Sequence, residues 1–184
     1  MTAETLVLPP RPSRSAALPD PGTYRASPGR CVLELSACAG PLTTLRGRFA
    51  VLDTRLVVAP DPSHTRLSVE ASTASLRTTR PLATRHITGR RGLAARQHRT
   101  IRFESSDFEL DEPDRITISG SLYLRDAPIP VALNTRVVGH RSDRLLILGV
   151  GSLAYSTLRA ATGARLPWAV PANRIRLLLA ADFR

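Results

Sequence analysis

Apolar and polar residues alternate with a period of two along most of the chain beyond Gly22, the pattern of strands that bury one face. Cys31, Leu33, Leu35 and Ala37 alternate with Val32, Glu34 and Ser36, while Leu67, Val69 and Ala71 alternate with Arg66, Ser68 and Glu70. Ile101 and Phe103 are flanked by Arg102 and Glu104. The longest run sets Ile116, Ile118, Gly120, Leu122 and Leu124 against Thr117, Ser119, Ser121, Tyr123 and Arg125. Successive strand side chains point to opposite faces, so the first set of each run predicts an inward face and the second a wetted one. Gly120 and Ala71 are then the small inward positions at which added bulk would enter the interior. Asp126, Pro128 and Pro130 predict a turn into Val131, Leu133 and a strand reaching Val138. A last strand carries Ile175, Leu177 and Leu179 inward. About eight or nine such segments with short connections predict an all-β antiparallel barrel or sandwich.

Two stretches break the alternation. Ser152 to Thr162 predicts a short helix with Ser152 as N-cap and Gly163 just past its end. Arg80 to Ala95 predicts a long crossing or a short helix. The first 21 residues carry five of the fifteen prolines and little apolar content after Leu8, which predicts a disordered tail over residues 1–20 and one domain over 21–184. That opening lacks a basic start, and no stretch approaches the roughly 18 uninterrupted apolar residues of a spanning helix. A soluble, cytoplasmic protein without a transmembrane segment is expected.

Composition adjusts this picture in three places. With 4% aromatic residues, the interior must be filled by aliphatic side chains. All 26 basic residues are arginine and the formal charge is +11, which raises a nucleic acid or an anionic surface as partner. Coding bias explains an arginine-only set equally well, and a single-strand binder needs exposed aromatic platforms, of which four Phe, three Tyr and one Trp offer few. Nucleic acid is not expected, and an arginine-rich interaction module remains the alternative function. Cys31 and Cys38 belong to no CxxC pair and predict buried free thiols.

Catalytic chemistry finds no pattern to rest on. His64, His86, His98 and His140 have no metal-ligand spacing. Ser152 stands in Gly149-Val150-Gly151-Ser152-Leu153, not in a Gly-x-Ser-x-Gly elbow. The acidic run Glu104, Asp107, Glu109, Asp111, Glu112 and Asp114 lacks the alternating ligands and glycine of a calcium loop, so it predicts a solvated turn. No catalytic residue, metal or cofactor is expected.

The segment from Ala74 to Ile87 resembles one in YceI-like proteins that reads Ala-Ser-Val-Asp-Thr and then Arg-Asp-x-His-Leu, with Thr78, His86 and Ile87 in place. Ile101-Arg102-Phe103-Glu104-Ser105 resembles the strand that follows, and Gly120 to Val131 resembles the family's Gly-x-Leu-x-Leu-x-Gly hairpin with its Pro-Val ending. Gly22-Thr23-Tyr24 and Arg46-Gly47-Arg48-Phe49 match at the front, so the resemblance covers about Pro21 to Asp182. Ser27, Arg30, Ala83, Thr84 and Asp126 depart from the family's pattern. The resemblance implies an eight-stranded, closed, lipocalin-like antiparallel barrel with one or two short helices, holding an isoprenoid chain without a catalytic step.

On that implication the apolar interior is Leu33, Leu35, Phe49, Val69, Ile101, Phe103, Ile118, Leu122, Leu124, Val131, Leu133 and Leu177. The expected partner is an isoprenoid lipid held for storage, transport or stress response, and homodimer formation stays open. Between Glu70 and Glu104 the chain has eight arginines and no acid. Arg102 is excluded from any ligand role because it alternates outward. Arg85, Arg90 and Arg91, with His86, are the expected receivers of an anionic head group, since guanidinium forks suit phosphate oxygens.

Overall fold

The computed structural model describes residues 18–112, 114–141, 144–166 and 173–184. Eleven strands form one antiparallel sheet: β1 (Gly22–Arg25), β2 (Cys31–Ala39), β3 (Leu42–Phe49), β4 (Val51–Val58), β5 (Arg66–Ser72), β6 (Arg77–Thr78), β7 (Thr100–Glu112), β8 (Arg115–Leu124), β9 (Ala127–Arg141), β10 (Arg144–Ala154) and β11 (Arg174–Phe183). Among the described residues there are two α-helices, α1 (Pro81–Thr88) and α2 (Tyr155–Thr162), and three single 3-10 turns. The strands lie in the order β1-β4-β5-β7-β8-β9-β10-β11-β2-β3-β6. The sheet curls so that its inner faces share one apolar core, drawn from every strand but the short edge strand β6.

The expected eight-stranded closed ring is therefore corrected to an eleven-stranded sheet whose ladder ends at β1 and β6. The additional pairings come mainly from pieces too short to show periodicity, above all β6, which pairs Gly47 with Thr78 and Arg48 with Arg77. The backbones of Arg25 and Arg184 exchange a reciprocal pair of 3.0 Å hydrogen bonds, tying β1 to the residue after β11.

The alternation places side chains as the sequence predicts. Leu33, Phe49, Val69, Ile101, Phe103, Ile118, Leu122, Leu124, Val131, Leu133 and Leu177 are buried and Leu35 is half-buried. Arg102 is exposed, with its guanidinium 4.9 Å from the centre of the Tyr123 ring. The acidic run is not one turn: most of it lies along β7, and β8 follows directly.

Three local expectations change. The hairpin turn is Arg125-Asp126, both with left-handed φ of 53° and 60°, and β9 already starts at Ala127. Pro128 and Pro130 are strand residues paired with Tyr123 and Ser121 of β8. The ladder from β9 to β10 reaches no further than Leu133, so each proline turns its missing N–H to an unpaired edge. Ser152 is not an N-cap: it pairs with Arg176 inside β10, and α2 starts three residues later behind Ala154. Gly163 does end that helix, with φ 65°. The tail expected over residues 1–20 lies outside the described residues except for its last three. There Leu18 packs against the core and the Asp20 carbonyl accepts a 2.8 Å hydrogen bond from the Tyr24 hydroxyl.

Candidate functional site

The chain from Thr79 to Arg99 crosses the curled sheet and, with α2, forms a roof over one end of the core. Pro81 at the first turn suits a helix start because its missing N–H would have no partner there. Ala83 and Ile87, one turn apart, turn inward and are the buried residues of α1. The chain then folds back on itself. A side chain on Gly92 would put its Cβ 2.1 Å from the Ile87 carbonyl oxygen and 2.7 Å from that of His86, so only glycine fits. Leu93 N–H donates to the Ile87 carbonyl at 2.6 Å, and Ala95 N–H to Thr88 at 2.9 Å. Ala94 is held between them at φ 50°, a conformation that costs a non-glycine residue about 1–2 kcal/mol. At its far end the roof is pinned by His98, whose Nδ1 is 2.6 Å from Asp126 Oδ2 in the β8–β9 turn. The Arg165 N–H donates to the Arg91 carbonyl at 2.7 Å, joining the roof to the chain after α2.

Beneath the roof lies an apolar cavity of about 50 Å³. Leu35 and Ala37 of β2, Leu45 and Phe49 of β3, Leu124 of β8 and Ile175 of β11 form its walls. Leu76, Ile87, Leu93, Leu158 and Leu166 close it from the roof side. The two side-chain hydroxyls in the lining are engaged: Ser36 donates to Glu34 Oε1 at 3.3 Å, and Thr78 donates to the Arg80 carbonyl at 2.6 Å. Nothing polar is offered inward, so the cavity is suited to hydrocarbon.

Of the twelve residues expected to touch an interior ligand, Leu35, Phe49 and Leu124 line this cavity. Leu33, Val69, Ile101, Phe103, Ile118, Leu122, Val131, Leu133 and Leu177 are buried but outside its lining. The interior there is filled by packed side chains. Gly120 and Ala71 are not openings either. A Cβ on Gly120 would meet the Glu104 carbonyl oxygen at 2.3 Å, and Ala71 is fully buried outside the lining. Alternation reports which way a side chain points, not where packing leaves space.

On the outer side of the roof an open groove of about 530 Å³ is lined by Arg85, Thr88, Gly89, Arg90, Ala94, Ala95, Arg96, Gln97 and Ala74. Arg85 and Arg90 are thus brought together as the sequence suggested. Arg91 is exposed and outside the lining, because its backbone is turned to Arg165. His86 is exposed, also outside the lining, and its Nδ1 donates to the Leu82 carbonyl at 2.9 Å. Arg96 and Gln97, which sequence reasoning passed over, stand in the groove instead; for Arg96 the signal was its place in the same acid-free stretch.

Elsewhere Cys31 and Cys38 are buried free thiols. Burial pushes the Cys31 thiol up from its ordinary range, against a weaker lowering by its hydrogen bond from Thr54, which keeps it protonated and poorly nucleophilic. Among the described residues no group of three or more His, Cys, Asp or Glu gathers at metal-binding distance. No helix among them is long and apolar enough to cross a membrane.

Comparison with known proteins places these features in a context. The model of the YceI-like domain matches residues 30–167. The crystal structure of Burkholderia cenocepacia BcnA superposes with a TM-score of 0.72 at 13% identity, covering 86% of this chain and 99% of that one. A polyisoprenoid binding domain from Saccharophagus degradans, implicated in plant cell wall breakdown, gives 0.62 at 11% identity over 88% and 97% of the two chains. The Campylobacter jejuni YCEI protein gives 0.60 at 17% identity over 74% and 82%. No curated relative matches the sequence.

Proposed function

We propose that this chain, which belongs to the YceI-like family, binds the tail of a long apolar lipid of the polyisoprenoid or isoprenoid quinone type beneath its roof, as a carrier or store and not as an enzyme. The observation that carries the reading is the cavity lining, which is apolar but for two hydroxyls already engaged within the protein. The polyisoprenoid binding named for the Saccharophagus degradans domain supports the same ligand class here. Each CH₂ taken from water contributes about 0.8 kcal/mol, so recognition rests on chain burial rather than on polar contacts. The two buried thiols suit a reducing, cytoplasmic setting.

Room sets the mechanism. A site that buries a whole ligand measures about 300–1,000 Å³, several times the cavity present, so loading must displace Ile87, Leu93, Leu158 and Leu166. The roof suits such a movement, because few polar links tie it to the sheet: Thr79 N–H to the Arg46 carbonyl at 3.2 Å, Thr73 N–H to the Arg99 carbonyl at 2.9 Å, and the contact between His98 and Asp126. A head group would emerge beside Arg85, Arg90 and Arg96, which takes the place of Arg91 in the expected set.

The test begins with organic extraction of the purified protein and mass spectrometry, in which an isoprenoid is expected. Ala37→Phe puts bulk at the cavity wall and should remove it while the fold persists. Affinities for a polyprenyl phosphate and for a neutral quinone of similar tail length then separate tail from head. Arg85→Ala/Arg90→Ala/Arg96→Ala should weaken the phosphate ligand alone. Absence of isoprenoid together with failure to bind either ligand overturns the reading. Binding of any polyanion with a steep salt dependence would replace it by the arginine-rich module.

A further inference from the structure

The roof has one large apolar side chain on its outer side. Leu82 is 74% exposed, more than any other large hydrophobic residue described. It stands on the side of α1 opposite Ala83 and Ile87, within a turn of Arg85. The chain on either side of it carries Arg77, Arg80, Arg85, Arg90, Arg91, Arg96 and Arg99, all exposed, and Arg85, Arg90 and Arg96 line one groove. Among the described residues none of these seven has a carboxylate within ion-pair distance. A leucine held in water among uncompensated cations is the composition of an interfacial membrane contact.

We propose that this face docks on an anionic phospholipid bilayer, with Leu82 entering the acyl boundary and Arg77 and Arg80 holding lipid phosphates. For its purpose the inference rests on the lipid-binding reading. The same short segment presents Leu82 to the outside and Ile87 and Leu93 to the cavity, so docking sets the roof between the bilayer and the cavity that would receive its lipid. Each arginine near an anionic surface strengthens partition by about fivefold, and guanidinium forks grip phosphate bidentately. A nucleic acid would meet the same arginines but would have no use for Leu82. The segment from Arg77 to Arg99 also offers it no Phe, Tyr or Trp as a stacking platform.

Co-sedimentation of the full chain with vesicles tests this, using phosphatidylcholine alone and phosphatidylcholine mixed with phosphatidylglycerol, both free of isoprenoid. Binding to the mixed vesicles alone is expected, weakening as salt rises. Leu82→Gln should weaken it about threefold and Arg77→Gln/Arg80→Gln about twenty-five-fold. Leu110→Gln and Arg55→Gln/Arg136→Gln, exposed on β7, β4 and β9, should bind as the parent does. The proposal fails if neither vesicle binds, if Leu82→Gln binds unchanged, or if the control pair loses as much as Arg77→Gln/Arg80→Gln. Unchanged binding by Leu82→Gln with competition from duplex DNA would identify a general polyanion site. Docking is read here apart from loading, so a chain that docks yet yields no isoprenoid on extraction overturns the functional reading and leaves this one standing.

Discussion

The sheet and the roof use the same cation in opposite ways. On the sheet, arginines stand beside carboxylates: Arg30 and Arg144 on Asp182, Arg46 and Arg48 on Glu34, Arg136 on Asp114, Arg102 on Glu104. Each exposed pair contributes only about 0–1 kcal/mol, but together they cancel the local field. The roof has no acid of its own, so its arginines keep theirs. The backbones differ as well: the sheet is held by continuous ladders, the roof by a few hydrogen bonds around Gly92 and the left-handed Ala94. Seven of the 26 arginines thus gather at the roof without a paired acid among the described residues, and that region is also the one with the fewest polar ties to the rest of the fold.

Two glycines test whether the regions differ in stability as they do in construction. Gly120→Ala forces a Cβ to within 2.3 Å of the Glu104 carbonyl and 2.8 Å of Ser105 Cα, in the middle of the pairing between β7 and β8. Backbone on both sides must give way, and a loss of about 3 kcal/mol is expected in denaturant titration, at the top of the usual range. Gly92→Ala meets a contact just as close in the roof. There the expected result is local opening: faster amide exchange at Leu93 and Ala95, while the amides of β8 and β9 keep their protection. If Gly92→Ala lowers the unfolding midpoint as far as Gly120→Ala does, roof and sheet are one cooperative unit and the comparison breaks.

A second, smaller effect belongs to the sheet alone. Asp182 on β11 accepts hydrogen bonds from Arg144 Nε and Nη2, both at 2.7 Å, and from Arg30 at 3.0 Å. The Arg144 bonds first, then the charges of Arg144 and Arg30, hold its carboxyl below the ordinary value of 3.8, against the opposing effect of burial. A depressed folded-state value means stability that is present above the ordinary value and lost as pH falls through the folded one. Denaturation midpoints followed downward from pH about 5 should therefore drop more steeply for the wild type than for Asp182→Asn, which starts lower at neutral pH. Parallel curves would remove Asp182 from the account of the sheet.

The same division decides what the sequence made legible. Sheet faces could be read because burial there is local: Val69, Ile118, Leu133 and Leu177 alternate and are buried. Gly163 could be read because a left-handed cap favours glycine. Ser152 could not, since its strand state depends on Arg176, a distant partner. The cavity was legible only in part, because its lining brings Leu76, Leu93, Leu158 and Leu166 onto Leu35 from far along the chain. For Arg91, membership in an acid-free run was visible. The turning of its backbone toward Arg165, which takes it out of the groove, was a tertiary event.

The smallest expected effect is one of sign. Arg144→Gln removes a cation from a bonded carboxylate on the sheet and should lower stability. Arg85→Gln removes one from a group of like charges on the roof, where no carboxylate is left behind. Its change should stay within about 0.5 kcal/mol, and at low salt it should be a gain, because neighbouring guanidinium groups repel. Salt separates this charge effect from altered packing. The Debye length shrinks from about 30 Å at 0.01 M to about 10 Å at 0.1 M, so the gain for Arg85→Gln should fade over that range. The loss for Arg144→Gln, which includes hydrogen bonds at 2.7 Å, should largely persist. Thermal or denaturant midpoints of the two variants at both ionic strengths suffice. A loss of stability for Arg85→Gln that salt does not change would mean that this arginine is held by the roof as Arg144 is held by the sheet, and that the roof's charge is part of its structure.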